Sequence, residues 1–360
     1  MPELTQQLTA AAVALLVRLI ETPSFSGEEA GTAALVAEFL ATHGAVPQRR
    51  GNNVWAVASG FDSNKPTVLL NSHHDTVRPG AGWTYPPFEA GREGDRLIGL
   101  GSNDAGAAAV GLLAVFLYFQ HRPRAFNLIC AITAEEEISG ANGIRSLLPE
   151  LGNIALGIVG EPTGMNLAIA EKGLMVLDGT AHGRTGHAAR DEGENALYIA
   201  LDDVQWLRTY QFPQVSPLLG PVKMTVTQIS AGQQHNVVPD RCQFVVDVRT
   251  NECYSNVEIL EIIRANVQSE MMPRSTHLNS SSISESHPLV RKGLAMGKRT
   301  YGSPTLSDQA VMPFPTLKMG PGESARSHTP DEFVLVSEIE AGIRDYISLL
   351  SDFGAQGFAK

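Results

Sequence analysis

A histidine and an aspartate, His73 and Asp75, stand two residues apart just after an apolar run that ends at Leu70. Residues two apart on a strand point to the same side, so both side chains share a face where the strand runs out into a loop. A metal-binding histidine usually has a carboxylate behind it that fixes its tautomer. The pair therefore indicates one corner of a metal site, although a polar turn could carry the same residues. His74 faces the other way if the strand continues, and we interpret it as structural.

Acids and histidines also follow other predicted strands of the chain. Asp104 directly precedes an apolar helix predicted at 105–119, and three predicted strands, at 126–133, 156–159 and 316–319, are followed by Glu135, Glu136 and Glu137, then Glu161, then His328. In open α/β sheets, functional groups gather beyond the carboxyl ends of the strands. The set therefore predicts one common site. Imidazole and carboxylate ligands without cysteine suit zinc or a similar divalent ion in a hydrolytic site. Several carboxylates also allow two ions that share one acid.

Strands and helices alternate around these residues, which predicts an α/β fold with a mainly parallel sheet covered on both faces. We expect helices at 5–21, 28–43 and 143–151, and further strands at 53–58 and 67–71. The Pro- and Gly-rich segment 77–101 is long for a connection, and such loops are often functional. The α/β pattern returns at the end of the chain, with helices at 288–301 and 336–353.

The central part of the chain has a different pattern, which predicts an inserted domain. Its predicted order is strand, helix, two strands, helix and strand, at 174–183, 195–210, 222–229, 241–250, 255–271 and 277–284. The second helix opens with a capping box, Ser255 and Glu258. This order is typical of a small antiparallel sheet with two helices, as in ferredoxin-like domains. We therefore expect one domain from 1–172 and 284–360, and a smaller α+β domain from 173–283.

Composition limits the partners and the compartment. The chain has 360 residues, of which 43% are hydrophobic and 18% charged, with a net charge of -11. This acidic balance argues against nucleic acid or an anionic membrane as a partner. Three scattered cysteines fit a reducing compartment. No basic leader precedes the first helix, and the apolar run 105–119 is shorter than the roughly 18 residues of a membrane span. We expect a soluble, cytoplasmic protein.

The motifs, taken as a set, resemble the zinc-dependent deacylase and peptidase family that includes acetylornithine deacetylase, succinyl-diaminopimelate desuccinylase, aminoacylase and glutamate carboxypeptidase. The resemblance covers nearly the whole chain and rests on 72–77 (SHHDTV), 99–104 (GLGSND), 133–137 (TAEEE), 160–163 (GEPT) and 327–329 (SHT). The segment 320–328 (GPGESARSH) is similar to the acetylornithine and acetyl-lysine deacetylase branch.

This resemblance implies two zinc ions, for which cobalt or manganese could substitute. It implies His73 and Glu161 on one ion, Glu137 and His328 on the other, and Asp104 between them. Asp75 would orient His73. Glu136 would be the general base, which takes a proton from the attacking water and passes it to the leaving amine.

The resemblance also extends to the inserted domain. The segment 185–189 (TGHAA) is similar to a family turn whose histidine, here His187, donates to the oxyanion of the tetrahedral intermediate, often from the other subunit of a homodimer. Such stabilisation is typically worth about 3–4 kcal/mol. Asn236 lies in a segment similar to a substrate-contacting turn. Arg249 could hold a substrate carboxylate, since a planar guanidinium suits that task; a strand-edge pair with Asp247 is the alternative. Arg326 is a rival for the same role.

The expected function is metal-dependent removal of an N-acyl group, acetyl in the first instance, from a basic amino acid such as ornithine, lysine or citrulline. Such a reaction would belong to amino-acid biosynthesis, for example that of arginine. Succinyl-diaminopimelate, succinyl-ornithine or a dipeptide are alternative substrates. A metal-binding interaction protein without turnover is the alternative of another class. The expected partners are a small N-acyl amino acid and a second copy of the chain, bound through the inserted domain.

Overall fold

The structure is a computed structural model that describes residues 2–354. The chain divides into two compact units. The first unit contains the chain up to Ile169, then Ile283–Tyr301, and the chain from Ser307 onward; the second contains Ala170–Ser282 and Gly302–Leu306. The insertion predicted at 173–283 did not include this last short segment. The α-helices are α1 (Pro2–Ile20), α2 (Ala30–Thr42), α3 (Ala107–Phe119), α4 (Ile144–Leu151), α5 (Ala196–Thr209), α6 (Asn256–Arg264), α7 (Pro288–Ala295) and α8 (Val336–Leu350).

The strands are distributed over four sheets. Those up to Glu171 are β1 (Gln48–Arg50), β2 (Asn53–Val57), β3 (Thr67–His73), β4 (Gly91–Glu93), β5 (Arg96–Ile98), β6 (Asn127–Thr133), β7 (Leu156–Val159) and β8 (Leu167–Glu171). Those that follow are β9 (Gly173–His182), β10 (Gly186–His187), β11 (Lys223–Ala231), β12 (Val237–Val238), β13 (Arg241–Thr250), β14 (Glu270–Pro273), β15 (Ser281–Ser282), β16 (Thr300–Ser303), β17 (Thr316–Lys318) and β18 (Phe333–Leu335).

The largest sheet has the strand order β1-β2-β6-β3-β7-β17-β8-β15, and β16 also pairs with β8. Its centre, β6-β3-β7-β17, is parallel. The pairs outside this centre are antiparallel, so the sheet is mixed and the expected parallel character holds only in the middle. Every residue of β3 and β6 is buried, as expected for strands covered on both faces. The α/β fold class is confirmed.

Helix α3 packs against the centre of this sheet. All of its residues except Leu117 are buried. A Cβ atom on Gly160, just after β7, would lie only 2.8 Å from Leu112 Cδ1, so glycine allows this close approach. The helix was predicted from residue 105; it starts at Ala107 because the turn Ser102–Gly106 precedes it. That turn carries Asp104 to the edge of the sheet where the parallel strands end.

Within residues 2–354, two helical stretches are long and apolar enough to span a membrane by length and composition, which was not expected from the sequence. The first is Glu3–Ile20, of which 39% is buried. The second, Ser102–Phe119, reaches 18 residues because the turn before α3 adds to the apolar run, and 89% of it is buried inside the protein. Such burial is what a core helix shows.

The second unit contains a four-stranded antiparallel sheet with the order β11-β13-β9-β14. Along the chain its main elements are strand, helix, two strands, helix and strand, so the predicted ferredoxin-like arrangement is present. The sheet's apolar face packs with α5 and α6 residues around Phe244, Val246 and Ile259.

The fourth strand of this sheet is not where the sequence placed it. Helix α6 ends at Arg264 instead of 271, because the carboxylate of Asp203 accepts hydrogen bonds from the backbone N–H groups of Gln268 and Ser269 and holds a turn there. The chain then enters β14, which pairs with β9. The strand predicted at 277–284 is reduced to β15, which pairs with β8.

Other elements also differ from the sequence prediction. Helix α7 ends at Ala295 and not at 301, because Gly297 takes the left-handed conformation (φ 82°) and Lys298 N–H donates back to Gly293 O. Strand β16 follows. The segment 77–101 contains the hairpin β4–β5, which β18 extends. Strand β8 was not predicted at all.

We predict that the centre of α3 carries much of the stability of the first unit. Leu113→Ala should lower the free energy of unfolding by about 2–5 kcal/mol, since the fully buried side chain leaves a cavity. Urea denaturation of the metal-free protein, followed by circular dichroism, measures this loss. Leu117→Ala on the same helix is the matched control and should cost less. Equal losses in the two variants would contradict this packing.

Candidate metal centre

The carboxyl ends of the parallel strands bring a histidine and three acids together. His73, the last residue of β3, has its Nε2 atom 3.3 Å from Asp104 Oδ1, 3.7 Å from Glu161 Oε1 and 3.8 Å from Glu136 Oε2. Glu136 follows β6 and Glu161 follows β7, and these two strands are the neighbours of β3 in the sheet. Asp104 comes from the turn before α3. His73 is 1% exposed, and the three carboxylates are between 11% and 13% exposed.

A second histidine lies on the other side of Asp104. His328 Nε2 is 3.0 Å from Glu137 Oε1 and 3.6 Å from Asp104 Oδ2. The two oxygens of Asp104 therefore face different histidines, which is the arrangement that a bridging carboxylate needs. His328 has a positive φ of 59°, a conformation that is uncommon for residues other than glycine and is often found at functional sites.

Asp75 holds both His73 and the loop after β6. His73 Nδ1 donates to the backbone oxygen of Asp75 at 3.0 Å and lies 3.3 Å from its carboxylate, so Nδ1 carries a hydrogen. The same carboxylate accepts hydrogen bonds from the backbone N–H groups of Glu136 (3.0 Å) and Glu137 (3.1 Å) and from Ser26 Oγ (2.7 Å). Burial would raise the pKa of Asp75, but the bonds with His73, Ser26 and Glu137 lower it to about 2.

Each backbone N–H group of the loop 134–137 donates to a buried side chain. Asn53 Oδ1 accepts from the first at 3.0 Å, Glu29 Oε1 from the second at 3.2 Å, and Asp75 from the third and fourth. The side chain of Glu135 accepts from Asn142 instead, whereas those of Glu136 and Glu137 lie in the site. The loop is thus fixed at every peptide unit, and two of its three acids face the metal centre.

Asp104 is positioned by another buried acid. Glu332 Oε1 accepts the backbone N–H groups of Asn103 and Asp104, both at 2.9 Å. The Asp104–Ala105 peptide bond is cis. Burial raises the pKa of Glu332 to about 8. Glu332, Glu29 and Ser26 were not predicted from the sequence, because isolated residues in loops carry no periodic or motif signal.

The electrostatics of the site call for a cation. Burial raises the pKa of Glu136 well above its usual range and that of Glu161 to about 8, with further contributions from neighbouring acids. Burial would lower the pKa of His73, but the surrounding carboxylates raise it well above its ordinary value. The hydrogen bond with Glu137 raises the pKa of His328 to about 9. These raised values show that positive charge is favoured where the acids converge.

The donor set suits divalent metal ions. Two groups that share His73 have ligand atoms within 4.8 Å of one another: His73 with Glu136 and Glu161, and His73 with Asp104 and Glu137. Because Nδ1 of His73 keeps its hydrogen on Asp75, loss of the Nε2 proton would leave a lone pair on the side of these carboxylates, where a metal ion would bind both. Nitrogen and oxygen donors without thiolate suit zinc and also cobalt or manganese.

His74 belongs to a different network. Its Nε2 lies 3.0 Å from Asn52 O, so that nitrogen donates, and its Nδ1 then accepts from Thr32 Oγ1 at 2.8 Å. Burial lowers the pKa of His74, which keeps the ring neutral. The structure therefore agrees with a structural role for this residue.

The second unit brings two other predicted residues side by side. His187 lies on β10, which pairs with β12, and Ala188 N–H donates to Asn236 O at 3.0 Å. Ala189 N–H donates to His187 Nδ1 at 3.1 Å, so the exposed ring carries its hydrogen on Nε2. His187 is therefore available as a hydrogen-bond donor.

Both candidate arginines already have carboxylate partners. Arg249 binds Asp247 through two bonds of 2.9 and 3.1 Å, which is the alternative that the sequence left open. Arg326 binds Glu338 through two bonds of 2.7 and 3.0 Å, and its guanidinium lies 4.5 Å from the centre of the Phe333 ring. Either arginine would have to give up or share this pair to hold a substrate carboxylate.

Comparison with known proteins identifies the family. The model of peptidase family M20/M25/M40 matches residues 69–352, which contain all of the metal-site residues. The chain belongs to this family. It is therefore a metallohydrolase of the M20 group that acts on amide bonds, as the site chemistry indicates.

Curated relatives of this M20 chain include succinyl-diaminopimelate desuccinylases. That of Paracoccus denitrificans is 31% identical over 271 residues, covering 70% of each chain. That of Halorhodospira halophila is 26% identical over 373 residues, covering 94% of this chain and 97% of the relative. The acetylornithine deacetylase branch, which the segment 320–328 resembles, is not specifically shown by these relatives.

Solved structures show the same fold. The aminopeptidase PepT from Bacillus cereus has a TM-score of 0.75 at 16% identity, covering 98% of this chain and 99% of that one. A dinuclear metal-binding peptidase of family M20 from Bacillus subtilis has a TM-score of 0.72 at 14% identity, covering 96% and 98%.

We predict that metal binding releases protons. In the metal-free M20 chain, the pKa values of Glu161 (about 8) and His328 (about 9) lie above neutrality, so both groups hold protons at about pH 7. Metal ligands must be deprotonated, so zinc affinity should rise with pH until both values are passed. Titration calorimetry in buffers of different ionisation enthalpy measures the proton release, and a buffer-independent heat would contradict it. His121→Gln, a surface histidine variant, should leave the release unchanged.

Proposed function

We propose that this M20 hydrolase cleaves the amide bond of an N-acyl amino acid, and that the acyl group is succinyl. The arrangement of Asp104 between two histidine–carboxylate groups carries the hydrolytic part of this proposal. The acyl group is supported by the relatives, which are named succinyl-diaminopimelate desuccinylases. Acetyl removal from a basic amino acid, and with it a role in arginine biosynthesis, is the second candidate, supported by the segment 320–328.

The cofactor in this proposal is a pair of zinc ions held by His73, Asp104, Glu137, Glu161 and His328, with cobalt or manganese as substitutes. Such ions supply Lewis-acid polarisation of the acyl carbonyl and a hydroxide-like nucleophile at neutral pH.

Glu136 is the general base of the proposed reaction. Glu137 pairs with His328 at 3.0 Å, which leaves Glu136 as the loop carboxylate available for proton transfer. The carboxylate of Asp75 accepts the backbone N–H of Glu136, so the backbone that carries the Glu136 side chain is held in place. Burial raises its pKa above the usual range, which makes it a better proton acceptor, while bound cations shift the value back toward neutrality. Glu136 takes the proton of the attacking water and passes it to the leaving amine.

His187 is the proposed donor to the oxyanion, since its Nε2 carries the hydrogen. In this proposal it acts across a homodimer formed by the second unit. Strand β11 is an edge of the four-stranded sheet and exposes Ile229, and helix α5 exposes Tyr198 and Leu201. An unpaired edge beside exposed apolar side chains is suited to pairing with a second copy.

Asn236, Arg249 and Arg326 remain candidates for contact with the substrate. We also propose a cytoplasmic location for the protein.

A deacylation screen tests the proposed substrate class. The zinc- or cobalt-loaded protein is assayed against N-succinyl and N-acetyl forms of diaminopimelate, ornithine, lysine and citrulline, and against dipeptides. We expect the highest kcat/KM with an N-succinyl amino acid. A clear preference for N-acetyl substrates would favour the second candidate. No turnover of any of these amides would favour a metal-binding protein without catalysis.

Glu136→Gln should abolish hydrolysis while the metal content stays unchanged, because the amide cannot accept the proton. Removal of a general base typically costs about 100-fold to 10,000-fold in rate. Glu135→Gln is the matched control: it makes the same chemical change one residue earlier, where the side chain binds Asn142, and should retain activity. Metal analysis and steady-state kinetics measure both variants. An active Glu136→Gln protein would contradict the mechanism.

Mixed dimers test whether His187 acts across subunits. His187→Ala should lower kcat by about 100-fold to 1,000-fold, the usual effect of losing one oxyanion donor. Refolding this variant together with Glu136→Gln gives mixed dimers that hold one complete site if His187 comes from the partner. Activity should then return. A mixture as inactive as its two components, or a fully active monomer, would exclude this arrangement.

A further inference from the structure

A buried acid outside the predicted set lies behind the metal centre. Asp308, the first residue of a short 3-10 turn (Asp308–Val311), is 7% exposed. Its Oδ2 atom accepts a hydrogen bond of 2.8 Å from the hydroxyl of Thr133, 175 residues away in the sequence. Thr133 is the last residue of β6, the point at which the loop 134–137 leaves the sheet. A carboxylate from a distant segment therefore holds the origin of the catalytic loop.

The same carboxylate also reaches strand β3. The side-chain amide of Asn71 lies beside it, and with the nitrogen facing Asp308 it donates to Oδ2 at 3.1 Å. The opposite orientation would place the amide oxygen against the carboxylate oxygen, which is unfavourable. Asn71 and Thr133 lie on neighbouring parallel strands, in which His73 pairs with Thr133. Asp308 thus contacts both strands close to the points where His73 and Glu136 emerge.

We propose that Asp308 is a positioning residue for the proposed hydrolysis, and that it fixes Glu136 relative to His73 by joining the ends of β3 and β6. This inference rests on the proposed function. Asp308 acts through Thr133 and Asn71 and needs no contact with substrate.

The physical reason is that the loop residues Glu136 and Glu137 are held at their backbone, and the side chain of Thr133 ties the start of the loop to its surroundings. The Thr133 hydroxyl lies 2.8 Å from Asp308 Oδ2 and 3.2 Å from Ser72 O, so Asp308 is the nearer acceptor. Asn53, Glu29 and Asp75 accept its four N–H groups, but none of them holds the side chain of Thr133 at its start. A displacement of about 1 Å between reacting groups can cost about 100-fold in rate. A buried carboxylate is also costly unless hydrogen-bonded, and here both donors come from strands that carry catalytic side chains.

The chain offers a matched control at the next position. Gln309 is 1% exposed, and neither polar atom of its side chain has a hydrogen-bond partner within residues 2–354. Gln309→Met changes the same buried turn but removes no hydrogen bond. Since the amide is already unpaired, this substitution should be close to neutral.

Kinetics and hydrogen exchange together test the proposal. Asp308→Ala should lower kcat by about 10-fold to 100-fold with little change in KM or metal content. Asp308→Asn should recover most of the rate, because its side-chain oxygen still accepts from Thr133. In the protein without substrate, amide exchange of 134–137 should become faster in Asp308→Ala and stay unchanged in Asp308→Asn and Gln309→Met.

Three results would overturn the proposal: unchanged kcat and exchange in Asp308→Ala, equal losses in the Ala and Asn variants, or the same losses in Gln309→Met. If Asp308→Ala does not fold, Thr133→Val removes the donor from the other side and should give the same kinetic and exchange changes. If the wild type cleaves none of the amides, the proposed function fails by itself, and the exchange data still decide whether Asp308 holds the loop.

Discussion

The metal centre depends first on the carboxylate of Asp75. This buried group holds the ring of His73 and accepts the backbone N–H groups of Glu136 and Glu137. It therefore fixes a metal-site histidine from β3 and two acids from the loop after β6 with a single set of bonds. Without it, the N–H groups of Glu136 and Glu137 would lose their partners in a buried place, which is costly.

The second constraint is that the two carboxylate oxygens of Asp104 must lie toward two different histidines. The Glu332 carboxylate holds the backbone at Asp104, and the turn before α3 brings its two oxygens toward His73 and His328. Glu136 and Glu161 have raised pKa values because burial and the neighbouring acids disfavour their negative charge. Bound cations relieve that repulsion, so metal binding and the order of the site are coupled.

Much of this site could be predicted from the sequence, because several side chains of the metal centre stand soon after apolar runs that become parallel strands. His73 and Glu161 are found in this way. The supporting residues could not be found, since Glu29, Asp308 and Glu332 are single acids in loops whose partners are distant in the chain.

The fold could also be predicted from the sequence only in part. The ferredoxin-like order of strands and helices could be predicted from the sequence. The end of α6 could not, because it depends on a tertiary contact of Asp203 that local periodicity does not reveal.

If two metal ions share Asp104, anomalous diffraction at the zinc absorption edge, from crystals of the zinc-loaded protein, should show them directly. We expect two peaks about 3.5–4 Å apart, one near His73 and Glu161 and one near Glu137 and His328, with Asp104 between the peaks. A single peak at full zinc occupancy, or two peaks without Asp104 between them, would contradict this arrangement.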